Sequence, residues 1–207
     1  MRHILNKTTS TQCPRLPNVG YRLLMLVTMV CTIFVSQCAR ADISDCTVTL
    51  SPTAHNYGEL LEGQQNFVST AQGNATGLSQ RSSNLTVTCP QAERMDLRFS
   101  GTSLADGTFA FGGKGKLNVV LASAVLDGNA VELSKTKHKG VNISPIVADS
   151  QTLSADDEIT IGSNSSVKGM NLNAVVTVNP YLLQSAFVVK DASVQEENLI
   201  IELMAVN

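Results

Sequence analysis

Two short runs that mirror each other constrain this chain most. Cys46-Thr47-Val48-Thr49-Leu50 and Leu85-Thr86-Val87-Thr88-Cys89 alternate apolar and hydroxyl side chains, with a cysteine at the outer end of each. Period-2 alternation sends one set of side chains inward and the other to solvent, and threonine and valine suit a half-buried pleated surface. Both runs read as β-strands. Pro52 and Pro90 follow them closely and are expected to close them, because proline cannot donate to a ladder. Further strands are predicted at residues 96–100, 108–111, 117–126, 130–133, 158–161, 171–178, 187–190 and 199–206. Gly112-Gly113 marks a break, Asp127-Gly128-Asn129 a hairpin turn and Asn179-Pro180 another turn. Residues 62–83 and 134–142 are polar and read as loops. Closely spaced strands without a helical period predict an all-β sandwich.

The first forty residues follow different rules. Arg2, Lys7, Arg15 and Arg22 are positive, and no acidic residue precedes Asp42. An apolar run covers residues 23–35, and Ala39-Arg40-Ala41 supplies the small residues of a cleavage site. Charge, apolar run and A-x-A pattern together predict a secretory signal over residues 1–41, removed to leave a domain of residues 42–207. A membrane anchor is the alternative, but it needs about 20 apolar residues, and this run is shorter. Val35-Ser36-Gln37-Cys38 is no lipoprotein signal, since Gln stands where a small residue is needed. No membrane span is expected after cleavage.

Export also disposes of Cys13, Cys31 and Cys38, so the mature domain keeps Cys46 and Cys89. An even pair in an oxidising compartment predicts a disulfide. A zinc site would need further Cys or His at short spacing. Residues 42–207 hold 10 Lys+Arg against 17 Asp+Glu, a net charge of −7. An acidic domain without a basic stripe is a poor nucleic-acid binder.

Little of the sequence carries catalytic chemistry. His55 and His138 stand far apart without a motif, and no G-x-S-x-G, H-E-x-x-H or P-loop occurs. Neither an enzyme nor a cofactor is expected. Asp156-Asp157-Glu158 lacks the spaced ligands and turn glycine of a calcium loop and reads as an exposed acidic turn. Lys135, Lys137 and Lys139 read as a solvated loop face, with an anion-binding patch as the alternative. Trp is absent and aromatic residues are 4% of the chain, which leaves few platforms for carbohydrate.

The strings CTVTLSPTAHNYGEL, NLTVTCP and ENLIIELMAVN carry a resemblance. The chain from Cys46 onward resembles subunits of chaperone–usher fimbriae. It is most like a fimbrial-like minor-subunit family with an early cysteine, an aromatic-glycine pair (here Tyr57-Gly58) and a T-V-T-C strand. The resemblance implies an immunoglobulin-like, pilin-type sandwich with one disulfide, left incomplete by the lack of its last strand. It also implies a periplasmic chaperone that fills the resulting groove, an outer-membrane usher, neighbouring fimbrial subunits and a final place on the cell surface. The implied groove strand here carries Leu199, Ile201, Leu203 and Ala205 on one face and ends at the carboxylate of Asn207. Two features depart from the pattern. Cleavage after Ala41 leaves only Asp42-Ile43-Ser44-Asp45 before the first cysteine, too short to span a groove of about five to seven residues at roughly 3.3 Å each. Such a subunit accepts a donor strand without supplying one, which implies a minor or terminal position. The penultimate residue is Val206 rather than an aromatic. Two other readings stay open: an adhesin that uses residues 62–83 or 134–142, and a secreted hydrolase, for which no nucleophile–base pair can be named.

Overall fold

The computed structural model describes residues 45–71, 73–164, 166–188 and 194–204. The mirrored runs pair with each other. Strand β1 (Thr47–Ser51) lies antiparallel to β4 (Arg81–Glu93), with Thr47 opposite Thr88 and Leu50 opposite Leu85. This register puts Val48 beside Val87 on the inner face and Thr49 beside Thr86 on the outer one. The Cys46–Cys89 disulfide ties the two strands together immediately before their first register pair.

The first sheet is built around one long strand, β13 (Gly169–Leu183). One edge of β13 pairs with β4 and, further along, with β3 (Gly73–Gly77), which carries β2 (Val68–Thr70). Its other edge pairs with β7 (Gly115–Leu126). To β7 are attached β6 (Phe109–Phe111), the two-residue β8 (Asn129–Ala130) and β11 (Ser150–Leu153). The second sheet is antiparallel throughout, in the order β10 (Val141–Ala148), β9 (Leu133–His138), β12 (Asp157–Ile161), β5 (Asp96–Ser100), β14 (Ile200–Met204). Leu85, Val87, Val119 and Leu121 of the first sheet meet Leu97, Phe99, Leu133 and Ile159 of the second in a fully buried core. The protein is an all-β sandwich of two antiparallel sheets with one disulfide.

Several local expectations are corrected. Pro90 does not close its strand; β4 runs on to Glu93. The β4–β13 register slips between Thr88↔Asn171 and Glu93↔Gly169, so Pro90 lies in an irregular stretch where its missing N–H interrupts no regular pairing. Asn179-Pro180 is not a turn either. Pro180 sits inside β13 opposite Leu117, where the pairing with β4 has ended at Val178↔Arg81 and that with β3 begins at Tyr181↔Gly77. Its carbonyl accepts from the Leu78 N–H at 2.9 Å. Residues 134–142 are a hairpin of β9 and β10 rather than a loop, and residues 62–83 contain β2, β3 and the start of β4. The strand expected at 130–133 divides: Asn129–Ala130 stays with β7, and Leu133 starts β9 in the other sheet. Phe187 follows a 3-10 turn, Gln184–Ala186, where a strand was expected. β11 had no counterpart in the sequence reading.

Candidate functional site

The two sheets are bridged by side chains at one edge. Gln151 Nε2, from β11 of the first sheet, donates to the Leu133 carbonyl (2.9 Å) and the Ile146 carbonyl (2.7 Å) of the second. Lys135 Nζ, from β9, donates to the Thr152 carbonyl on β11 at 2.7 Å and pairs with Asp157 Oδ2 at 2.7 Å. The same carboxylate accepts from the Ser154 N–H (2.7 Å) and meets His138 Nδ1 (2.7 Å). Asp157 and Glu158 are therefore buried, not the exposed acidic turn expected. Glu158, on the outer face, pairs with Arg98 and with Lys137 (2.7 Å). Burial pushes the Glu158 carboxyl up, but the hydrogen bonds from Lys137 and Arg98 outweigh it and hold the group below its ordinary value. Lys135 and Lys137 are thus committed to internal ion pairs rather than to a free anion patch, and Lys139 occupies the tight β9–β10 turn at φ 49°.

The other edge is open. Among the described strands β1 pairs only with β4, and β14 only with β5, so each presents a row of unpaired backbone groups. Their inward side chains are only half-buried: Val48 and Leu50 on β1, Ile201 and Leu203 on β14, and Leu199 just ahead of it. One strand further in, Leu97, Phe99, Leu85 and Val87 are fully buried. The apolar core thus runs out toward water between the two edge strands. A cleft of about 1030 Å³ opens beside the end of β1 at Leu50 and the approach to β14 at Leu199. It is lined by Phe111, Leu117, Val176, Val178 and Leu182 of the first sheet with residues 53–62 and 194–198, and by no residue of β14 itself.

Tyr57 and Gly58, paired in the sequence, both line this cleft. The Tyr57 ring meets Phe111 edge-on at 6.1 Å between centroids, and the Arg81 guanidinium lies 5.9 Å from its centroid. Its hydroxyl is buried without a hydrogen-bond partner among the described residues. Burial pushes the phenol up, against the opposing charge of Arg81. Gly58, at φ +71°, is in the region that favours glycine, and its N–H donates to Asn56 Oδ1 at 2.7 Å.

Of the implied groove strand, Leu199, Ile201 and Leu203 point toward the core and Ile200 and Glu202 are exposed, while Ala205 and Asn207 lie outside the described residues. The proposed signal, residues 1–41, lies outside them too. His55 and Ser83 also line the cleft, 2.9 Å apart. Ser83 donates its hydroxyl proton to the Pro52 carbonyl at 2.7 Å, so the imidazole donates to Ser83 rather than accepting from it. The pair ties β4 to the segment after β1 and lacks the polarity of a nucleophile with its base. No group of three or more His, Cys, Asp or Glu among the described residues is placed to hold a metal, and no described helix is long and apolar enough to cross a membrane. Gln151, whose two bonds join residues 5 and 18 positions away, and the glutamates that border the cleft carry no local signal in the sequence.

No model of a known protein family matches this chain, and no curated protein does. Among solved structures it is similar to the P pilus rod subunit PapA, at 12% identity over 77% of this chain and 99% of that one, with a TM-score of 0.29. An overlay of that quality carries no weight, and the sandwich is defined by its own ladders and disulfide.

Proposed function

We propose that this protein is an exported structural subunit of a chaperone–usher type fimbria, minor or terminal, assembled by donor-strand complementation. The observation that supports it is the open edge: β1 and β14 are each paired on one side only with inward side chains half-buried, and a cleft of about 1030 Å³ opens beside Leu50 of β1 and Leu199 just ahead of β14. Exposed apolar side chains beside unpaired backbone groups make an aggregation hazard, and an extended segment laid along β14 removes both at once. The resemblance of the Cys46, Tyr57-Gly58 and T-V-T-C motifs supports the same reading. On it, a periplasmic chaperone occupies the edge first, and a neighbouring subunit replaces it at the usher. With cleavage after Ala41, the short Asp42–Asp45 segment makes this subunit an acceptor that does not donate, which suits the end of a fibre at the cell surface.

Expression with its own leader in a Gram-negative periplasm, with and without a fimbrial chaperone, tests the proposal. The result expected is a one-to-one complex with the chaperone and aggregation without it. A thermally stable monomer purified alone would overturn it.

A further inference from the structure

We infer that the segment accepted at the open edge is a basic strand: apolar at the alternate positions that face the cleft, lysine or arginine at the intervening ones. The inference rests on the donor-strand reading above and adds the chemistry of the partner. The charged residues that line the cleft are Glu59, Glu62, Glu196 and Glu197, with no lysine or arginine among the described lining residues. Glu62 bonds to Gln184, and Glu197 accepts from the Thr102 N–H. Glu59 and Glu196 are exposed at the surface of the cleft. Arg81, over the Tyr57 ring, is a nearby cation outside the lining.

The edge strand repeats the sign. Register places Glu202 of β14 beside Arg98, Arg98 beside Glu158, and Glu158 beside Lys137, a row of alternating acid and base across four strands. Arg98 and Lys137 both bond to Glu158. Glu202 ends the row, exposed, with its far flank turned to the position an added strand would take. A cation there continues the alternation, and opposite charges directly across a ladder attract. Acidic edge residues also guard against self-association. A second copy of β14, antiparallel and centred on Glu202, would set Glu202 against Glu202, and like charges directly opposite repel. The same residues therefore exclude one partner and select another.

Three synthetic peptides test this, each with valine at every second position and lysine, serine or glutamate at the rest. Their binding is measured as displacement of the chaperone from its one-to-one complex with the full chain expressed for export, at low and at high salt. The lysine peptide is expected to bind about tenfold more tightly than the glutamate peptide at low salt, with the gap closing as salt rises. Glu196→Lys with Glu202→Lys should reverse the order, and Glu196→Gln with Glu202→Gln should level it. Equal binding of all three peptides overturns the basic-strand inference and leaves the groove standing. Binding of none overturns the donor-strand reading and this inference with it.

Discussion

Asp157 holds Lys135 at 2.7 Å in the interior of the sandwich, with 1% of the aspartate side chain and 15% of the lysine side chain exposed. Lys135 also reaches the Thr152 carbonyl, so this one ion pair helps join the two sheets at the edge opposite the cleft. Breaking a buried pair from one side leaves the remaining charge uncompensated, which is worse than never having had it. Asp157→Ala should therefore destabilise the domain by about 3 kcal/mol or more. Asp157→Leu combined with Lys135→Met should recover most of that loss. Urea unfolding of the three proteins checks it, and a loss under about 1 kcal/mol for Asp157→Ala would mean that the pair is solvated.

Glu158 gives the fold an acid limit. Its folded value lies below its unfolded one because Lys137 and Arg98 bond to the carboxylate, despite the opposing effect of burial. A depressed carboxyl contributes stability that is fully present above the unfolded value, about 4.3, and is lost as pH falls through the folded one. Unfolding midpoints should hold between pH 7 and 5 as far as this group is concerned, then fall below about pH 4.3. Glu158→Gln should be less stable at pH 7 and decline less steeply in acid. Parallel slopes for the two proteins would remove Glu158 from the account.

The disulfide closes a span of 43 residues. Loop-closure entropy for a span of that size gives about 4 kcal/mol. Cys46→Ser with Cys89→Ser should lower stability by about that amount, and the loss should appear without any change in the β4–β13 register, which hydrogen exchange can follow separately.

How much of this was legible in the sequence depended on where the relevant partner lay. The Thr-Val runs at 46–50 and 85–89 announced strands because alternation is a local signal, and the two cysteines announced their bond because removal of the predicted signal would leave no others. The second arm of the hairpin at 133–148 carries no clean alternation, and Ser134, Lys135, Thr136 and Lys137 look like a loop until Asp157 and Glu158 are brought beside them. For the same reason Asp156-Asp157-Glu158 looked exposed: Arg98, which neutralises Glu158, lies 60 residues away. Pro90 and Pro180 misled because their breaks fall in existing interruptions of the ladder, which only the register reveals. The half-buried state of β1 and β14 is likewise invisible locally, since it depends on which strands end up at an edge.

Gly115 offers a test of the packing below the cleft. A Cβ there would lie 2.5 Å from the Phe111 carbonyl oxygen and 2.7 Å from that of Tyr181, both backbone atoms. Since β6, β7 and β13 meet at this point, Gly115→Ala should cost about 1–3 kcal/mol. Gly113→Ala, whose added carbon meets nothing within 4 Å, is the control and should be close to neutral by thermal denaturation.

The open edge itself is tested most directly by residue-resolved hydrogen exchange along β14 and β1, compared with β12, on the protein in complex with a fimbrial chaperone and again immediately after release, at a dilution that keeps it from aggregating. In the released protein alternate amides of β14 should exchange freely, because their N–H groups face no strand, while those of β12, paired on both sides, stay protected. In the complex the same β14 amides should become protected as the added strand pairs with them. Continuous protection along β14 in the released protein, or no change on binding, would contradict an edge built to receive a strand.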